Sequence, residues 1–523
     1  MAMNISRLLS WSRVVAVGTI ALILAACGGE TNENITNTNQ MGGDDDSSVD
    51  DSEAVAVSLD SLVGYSQKGP FLKGSTVYLY ELSDGRTLKQ TNGNFTSIIT
   101  RDDGRYKFTA RDLASQYAML VVDGYYRNEV TGEASNAPIR LRALTDMRKR
   151  SSANVNLLTH LEYDRVYNLV TREHKTVKQA KKQAQAEIFE AFHIDTTGFN
   201  KSSEDLDVFG SSEADAALLA ISILLQGDRS ESELTALLAE LSDDLSDGKW
   251  DDAEKRTEIA DSVLSKDIQG KFAVYRSNVE GWGLSTTVPG FEKYVRHFLN
   301  AEKGVLEKCG DGNEGEWVEM PYRKAFLMLK CENGVWNTHA LKDSRDGHDY
   351  RVVKIGGQNW MVENLNFKTD SSFCYKNEES DCTKYGRLYS WNDAKEACPS
   401  GWHLPSKTEW ETLFSAVGGQ STAGKVLRSA DGWENDGAGT DDFGFSGLDA
   451  GYEYCLVYDD GPMCGPSFGA HFWSSTDIYI VNLSERAEGS YLDSANVVNI
   501  ANFCDDCDYY EWATVRCLKD SAE

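Results

Sequence analysis

Ten of the eleven cysteines lie beyond residue 308, at Cys309, Cys331, Cys374, Cys382, Cys398, Cys455, Cys464, Cys504, Cys507 and Cys517, and none lies between residues 28 and 308. An even, clustered set of thiols reads as a disulfide framework formed in an oxidising compartment. Connectivity stays open in the sequence, although chain neighbours suggest 309–331, 374–382, 455–464 and 504–507, with Cys398–Cys517 as a long closure. In the loop-entropy picture, a closure of about 120 residues restricts the unfolded chain by several kcal/mol. Cys504-Asp505-Asp506-Cys507 also spells a C-x-x-C. A zinc site needs a second pair or a nearby histidine. A redox pair needs positive neighbours to lower its thiol pKa, whereas two aspartates raise it. A structural disulfide is the reading adopted.

Other reactive types give less. The 82 acidic residues make any chosen pair of carboxylates uninformative as a glycosidase centre. His160 and His174 stand alone among helical segments and read as core or surface residues, and His403 reads as a packed framework residue. Asp102-Asp103-Gly104 invites a calcium reading, but no spaced ligand set follows, so a hairpin turn is expected. No catalytic residue, metal or cofactor is assigned.

The remaining cysteine, Cys27, belongs to a different chemistry. Arg7 and Arg13 precede a short apolar run, Val14 to Leu24, which is followed by Leu24-Ala25-Ala26-Cys27. The run is too short to span a bilayer of about 30 Å, and the whole has the anatomy of a secretory signal. Leu-Ala-Ala-Cys resembles the bacterial lipobox, in which the cysteine is lipidated. Residues 28–56 are rich in Asn, Thr, Asp, Ser and Gly, and read as a disordered acidic tether. Gly28 lies where sorting rules would place an inner-membrane Asp, so an outer-membrane lipoprotein is expected. Loss of Arg7 and Arg13 with the leader takes the net charge from −30 to −32. Such acidity argues against nucleic acid and against polybasic membrane contact, leaving the lipid as the sole membrane attachment.

The elements between these sites form a series. Residues 57–150 alternate apolar and polar side chains in STVYLYEL, FTSIITRDDGRYKFTA and YAMLVVDGYY, broken at Ser83-Asp84-Gly85 and at the DDG turn. This pattern predicts a β-sandwich. Residues 151–304 turn helical: Val155, Leu158, Leu161 and Val166 lie near one face, Ser212 and Gly227 bracket ADAALLAISILLQ, and Ser230 with Glu233 makes a capping box. Cys309 and Cys331 bracket two strand-like runs around Met320-Pro321, so residues 305–345 read as a disulfide-pinned hairpin unit. Residues 346–523 form the last domain, after a leader at 1–27.

In that domain, Val353-Lys354-Ile355-Gly356, Gln358-Asn359-Trp360-Met361, Glu363-Asn364-Leu365 and Tyr385-Gly386-Arg387-Leu388-Tyr389 precede the run Cys398 to Trp410. Phe443-Gly444-Phe445-Ser446, Phe472-Trp473-Ser474-Ser475-Thr476 and Val515-Arg516-Cys517 follow. Through these blocks residues 346–520 resemble the Fibrobacter succinogenes major paralogous domain, a module repeated across exported proteins of that cellulose-degrading lineage. Residues 60–200 also look like a module seen beside it, with no function attached. The resemblance implies a compact C-type-lectin-like, or formylglycine-generating-enzyme-like, α+β fold. The expected fold class is therefore a multidomain α+β chain: N-terminal β-sandwich, α-helical middle and disulfide-rich lectin-like end. Cys398–Cys517 would tie its first helix to the last strand, and Ser406 would cap a second helix beginning at Lys407.

Trp391-Asn392-Asp393 spells the calcium triplet of C-type lectins, but there it precedes a closing loop on a late strand, and here it opens an early helix. Leu404-Pro405-Ser406 with Glu409-Trp410 looks like the formylglycine-generating fold, without a convincing reactive thiol pair. The seven tryptophans of the domain mostly occupy framework motifs. In a lectin-like fold the adaptable surface comes from late loops, here carrying Tyr454, Tyr458, Asp459, Asp460, Tyr509 and Tyr510 as ligand-binding candidates. The expectation is a non-enzymatic envelope lipoprotein for adhesion or recognition of plant-wall polysaccharide such as cellulose. The alternative is a structural component that binds another surface protein, and an enzyme of the formylglycine-generating type ranks below both.

Overall fold

Period-two alternation builds the first elements. In Thr76–Leu82 the residues Val77, Leu79 and Glu81 turn inward, and Val77 and Leu79 join the core. In the computed structural model, residues 53–521 are described, apart from 285–286, 306, 376–377, 434–436, 459–460, 468, 478, 484–485, 488–489, 492–494 and 500–508. The backbone alone is described for the rest of 452–467, 486–491, 496–499 and 509–511. Cys27, the leader, most of the tether, Asp459, Asp460, Cys504 and Cys507 therefore lie outside the described residues.

Two sheets make the N-terminal part. One has the order Arg105–Leu113, Val57–Gln67, Val155–Asn156, and the other Gln90–Ile98, Thr76–Leu82, Tyr117–Gly124, Ile139–Asp146. Their inner residues, including Leu62, Phe108, Leu79 and Leu120, share one hydrophobic cluster. Ser83-Asp84-Gly85 closes a hairpin, with the Asp84 carboxylate accepting from the backbone of Arg86 and Thr87. Asp102-Asp103-Gly104 differs from expectation. It carries the chain from one sheet to the other, because Gln90–Ile98 pairs with Thr76–Leu82 whereas Arg105–Leu113 pairs with Val57–Gln67. Turn residues specify a reversal, but not the partner of the strand that follows.

Val155 and Asn156 pair in parallel with Ser66 and Gln67, and Asn156 then caps the helix Leu157–Thr171. The Asn156 side chain accepts from Thr159 N while Thr159 Oγ1 accepts from Asn156 N, a reciprocal cap. Val155, Leu158, Leu161 and Val166 are all buried, as their spacing predicts. Six further helices follow, at Val177–Ala191, Glu213–Gln226, Glu231–Asp244, Ala253–Ile268, Lys271–Gly281 and Glu292–Glu302. Ser212 and Ser230 supply the expected caps, and Gly227 ends the Glu213–Gln226 helix. That helix is buried at every position except Glu213, so its apolar run is a bundle centre. Among the described residues no helix is long and apolar enough to cross a membrane.

Sheets and helices share this core, and a buried ion pair crosses it. Lys68 Nζ meets Glu129, with both side chains sealed from solvent. Ser222 Oγ, on the central helix, lies 3.0 Å from Lys68 Nζ and donates to Glu129 Oε1 at 2.7 Å, and the Tyr126 ring lies 5.5 Å from the ammonium. Burial pulls the Lys68 pKa down against the opposing attraction of Glu129.

The hairpin Trp317–Tyr322/Ala325–Glu332 turns at Arg323-Lys324 rather than at Met320-Pro321, since Tyr322 pairs with Ala325 and Pro321 with Phe326. Proline is tolerated because, among the described residues, this strand pairs on one side only. Ala325–Glu332 also pairs with Val352–Ile355, in a sheet ordered Val335–Asn337, Ala325–Glu332, Val352–Ile355, Gln358–Met361, Leu518–Lys519, Trp402–His403. Leu327, Leu329 and Cys331 pack into the helical core, whereas Met328 faces the C-terminal core. A second C-terminal sheet runs Phe373–Cys374, Arg387–Ser390, Tyr509–Thr514, His471–Trp473, Tyr479–Asn482, Asn496–Asn499, and the hairpin Tyr452–Tyr458/Gly461–Ser467 adds to Tyr509–Thr514.

Removing one member of a sealed ion pair strands the other charge, at a cost of about 3–5 kcal/mol. Lys68→Met or Glu129→Leu alone is expected to lower stability by that order, and the double variant to recover much of it. Urea denaturation of the four species checks this.

Candidate functional site

The motif blocks of the C-terminal domain converge on one side chain. Arg516 is fully buried. Its Nε and Nη2 donate to Asn364 Oδ1 at 3.0 and 2.8 Å, and Nη1 donates to the carbonyls of Phe445 at 2.6 Å and Met361 at 3.3 Å. The guanidinium also lies 4.5 Å from the Phe445 ring and 5.2 Å from the Phe472 ring. Burial pulls its pKa down to about 9, against the attraction of Glu363 and Asp441, so it remains charged at neutral pH. Phe445 and Phe472 in turn pack with Trp360 and Trp410 in one aromatic cluster, at ring separations of 4.7–6.1 Å. Asp441, held in a positive-φ turn, accepts from Ser446 N and Oγ and faces Arg323 of the preceding hairpin.

Disulfides close this framework. Cys309–Cys331, Cys374–Cys382 and Cys398–Cys517 are present as the spacing suggested. Cys398 follows the helix Trp391–Ala397 and Cys517 precedes the strand Leu518–Lys519. The helix Glu379–Tyr385, holding Cys382, comes before it and was not foreseen in the sequence. Cys455 and Cys464 stand directly opposite in hairpin register, and their side chains lie outside the description. Two metal-sized groupings occur among the described residues, Cys309/Glu314/Cys331 and Cys374/Glu379/Cys382. In each the sulfurs are tied in a disulfide, and zinc requires thiolates.

Trp391-Asn392-Asp393 opens a helix, as expected, and Ser390 caps it. The Asp393 carboxylate accepts from Thr369 Oγ1 at 3.1 Å, so the triplet is engaged locally. Ser406 and Glu409 form the reciprocal cap of Lys407–Ala416. Glu409 also reaches His403: Nε2 lies 2.9 Å from Glu409 Oε1, and Nδ1 lies 2.6 Å from Asp520 Oδ1. Partial burial disfavours the imidazolium, but these two carboxylates outweigh it and raise the pKa. His403 thus clips the chain end to a helix start.

Tryptophan burial separates framework from surface. Trp360, Trp402, Trp410 and Trp473 are buried, whereas Trp391, Trp433 and Trp512 are half-exposed. Trp391 hydrogen-bonds through Nε1 to Ser474 O, and Lys395 lies 4.0 Å from its ring. Trp512 packs edge-to-face on Phe373 at 5.6 Å, both half-buried, with Phe373 on the edge strand and Trp512 on an inner strand where it faces Ser390 and Glu453. Tyr375 and Tyr385 meet at 6.4 Å beside the Cys374–Cys382 bridge. Tyr385 opens one of the motif blocks, whereas Phe373 and Tyr375 were not expected in a site; clustering of aromatics about a short disulfide was the available signal.

The candidate tyrosines fall on strands beside this rim. Glu453 pairs with Trp512, Tyr454 with Glu511, Cys455 with Tyr510 and Leu456 with Tyr509, which brings Tyr454, Tyr509 and Tyr510 to neighbouring positions on two strands. Tyr458 ends its strand opposite Gly461.

The whole is an α+β domain with two sheets, a charged buried anchor and a disulfide-braced aromatic rim. The family model of the Fibrobacter succinogenes major domain matches residues 353–519, and the C-terminal third of the chain carries that domain. No curated protein and no solved structure matches the chain.

Arg516→Met would leave Asn364 and the Phe445 carbonyl unpaired in the core, at about 1–3 kcal/mol for each stranded group. Loss of the domain's unfolding transition or a marked fall in its midpoint by calorimetry is expected, with Arg516→Lys only a partial rescue because lysine lacks the planar fork. His403, whose folded pKa is raised, contributes stability that is full below its unfolded pKa of about 6.5 and is lost as pH rises through the folded value. The contribution is below about 1 kcal/mol because the clip is solvent-exposed. The decline in melting temperature above neutral pH should flatten in His403→Gln.

Proposed function

We propose that the protein is a non-catalytic lipoprotein of the outer membrane, attached through Cys27, whose C-terminal domain adopts a C-type-lectin-like fold and recognises plant-wall polysaccharide such as cellulose. In this reading the N-terminal sheets are a β-sandwich spacer. The observation that carries it is the pair Phe373 and Trp512, held half-exposed and edge-to-face while the framework tryptophans are buried. Partly exposed aromatic faces stack on the apolar faces of sugar rings, and neighbouring tyrosines and carboxylates supply hydrogen bonds. The Cys374–Cys382 bridge lies next to Phe373 and limits the ordering cost of binding. Net charge of −30 favours an uncharged polymer over an anionic one.

Binding of the full chain to insoluble cellulose and to a glycan array tests the proposal. Trp512→Ala and Phe373→Ala should each weaken binding about fivefold, the loss of one aromatic contact of roughly 1 kcal/mol. Tyr509→Ala/Tyr510→Ala serves as a companion, and circular dichroism checks the fold. Absence of any glycan binding, or binding indifferent to these changes, sinks the proposal. A defined protein partner retained under the same conditions would favour a scaffolding role.

A further inference from the structure

Four strands edge the two N-terminal sheets, and three of them are guarded. Arg105–Leu113 exposes Arg105, Lys107, Arg111 and Asp112. Val155–Asn156 is two residues long and runs straight into a helix. Ile139–Asp146 carries Arg140 and Arg142, ion-paired to Asp123 and Asp164. The fourth, Gln90–Ile98, has nine residues without a charge or a proline, and among the described residues it pairs on one side only. Ser97 Oγ donates to Lys107 O at 2.9 Å, so its last residues adjoin the other sheet and the open part is Gln90–Thr96. Natural sheets blunt an open edge with lysine, proline or a covering element, because its unpaired amides and carbonyls are a template for another strand. This edge has kept its template.

The chain carries a matching strand. Thr31-Asn32-Glu33-Asn34-Ile35-Thr36 repeats Thr91-Asn92-Gly93-Asn94-Phe95-Thr96, with four of six residues identical. In the edge strand Asn92, Asn94 and Thr96 are exposed, whereas Thr91, Gly93 and Phe95 are half-buried on the inner face. The same alternation sorts the earlier segment into Asn32, Asn34 and Thr36 on one face and Glu33 and Ile35 on the other. Set antiparallel with Asn34 opposite Asn94, it places Ile35 opposite Gly93, which has no side chain, and Glu33 opposite Phe95. The Arg111 guanidinium lies 5.3 Å from the Phe95 ring, where it meets the charge of Glu33. Residues 28–52 hold seven acidic side chains and no basic one, so Arg105, Lys107 and Arg111 draw them to this side.

The path of the chain agrees. Val55 N donates to Gln116 Oε1 at 2.5 Å, and Ala114 N donates to Glu81 Oε2 at 3.1 Å. Glu81 stands between Tyr80, which pairs with Asn94, and Leu82, which pairs with Gln90. The chain therefore enters the first sheets beside the start of the open edge, where an antiparallel neighbour ends. We propose that Asn32–Asn37 adds to Gln90–Thr96 as an antiparallel fifth strand. Main-chain hydrogen bonds supply the affinity, and Ile35 and Glu33 set the register. The consequence rests on the lipid-anchor reading: only Gly28 to Thr31 then separate Cys27 from the sheet, whereas a free flexible tether of residues 28–52 would span about 25–30 Å. Docking holds the N-terminal sheets at the membrane surface.

Hydrogen exchange on the full chain, read by mass spectrometry and corrected for intrinsic rates, tests it. Amides of Asn32–Asn37 should exchange at least about tenfold more slowly than those of Gly42–Asp46, and Gln90–Thr96 should share the protection. Ile35→Pro, which lies before the folded sheets, should return the segment to the rate of Gly42–Asp46 and speed exchange along Gln90–Thr96. Glu33→Arg should cut the protection about threefold, as loss of a surface ion pair does, and Glu33→Arg with Arg111→Glu should restore it. Cys27→Ser, which removes the lipid site, should change nothing, so failure of the lipoprotein reading leaves the docked strand standing. The inference is overturned if Asn32–Asn37 exchanges as fast as Gly42–Asp46, if Ile35→Pro leaves its protection intact, or if the protection vanishes with Cys27→Ser. Protection of Gln90–Thr96 that rises with protein concentration while Asn32–Asn37 stays unprotected also overturns it, and gives the edge to a second copy of the chain.

Discussion

Arg516 is the constraint on which the C-terminal domain depends. A guanidinium sealed from water must find acceptors for its donors, and here they come from Asn364, Met361, Phe445 and Ser446. Those residues belong to three separate motif blocks, so one charge holds the start, the middle and the end of the domain in register. The neighbouring Cys517 adds a covalent tie to Cys398 at the end of the Trp391–Ala397 helix. Burying a charge is costly unless it is fully paired; the cost is offset by a geometry that few alternative packings could satisfy.

The N-terminal part uses the same device. Lys68, Glu129 and Ser222 bring a strand end, a loop and a central helix to one sealed point. Between the two cores runs the strand Ala325–Glu332, which sends Leu327 and Leu329 one way and Met328 the other. Period-two geometry lets one strand serve two cores, provided both of its faces are apolar. Its outer hairpin then reaches the Asp441 turn through Arg323 and Lys324, so the segment that reads as a linker is built into the sheet of the last domain.

Aromatic residues divide by depth. Those of the motif blocks around Arg516 have no surface left to offer a ligand, and Phe373, Trp391 and Trp512 keep part of theirs. Recognition in the proposed function therefore belongs to the rim and to the tyrosine-bearing strands beside it, with the motifs serving as their support.

Local chemistry determined much that the sequence alone could supply. Helix starts at Ser212, Ser230 and Ser406 follow from side chains that bond their own backbone; Cys309–Cys331 and Cys374–Cys382 follow the pairing that chain neighbours suggested, and Cys398–Cys517 is the long closure left over. Alternation announced the strands, yet not their partners. The DDG turn crosses between sheets, and the hairpin after Cys309 turns two residues past Met320-Pro321. Sequence spacing cannot show which strand another will meet, nor that Arg516 would reach Asn364 across 152 positions. Capping, turn preference and cysteine pairing act over a few residues or through rare residue types, and so are written in the chain itself. Which charges are buried, which aromatics stay at the surface and where polar groups remain unpaired depend on contacts between distant segments, and only the tertiary structure decided them.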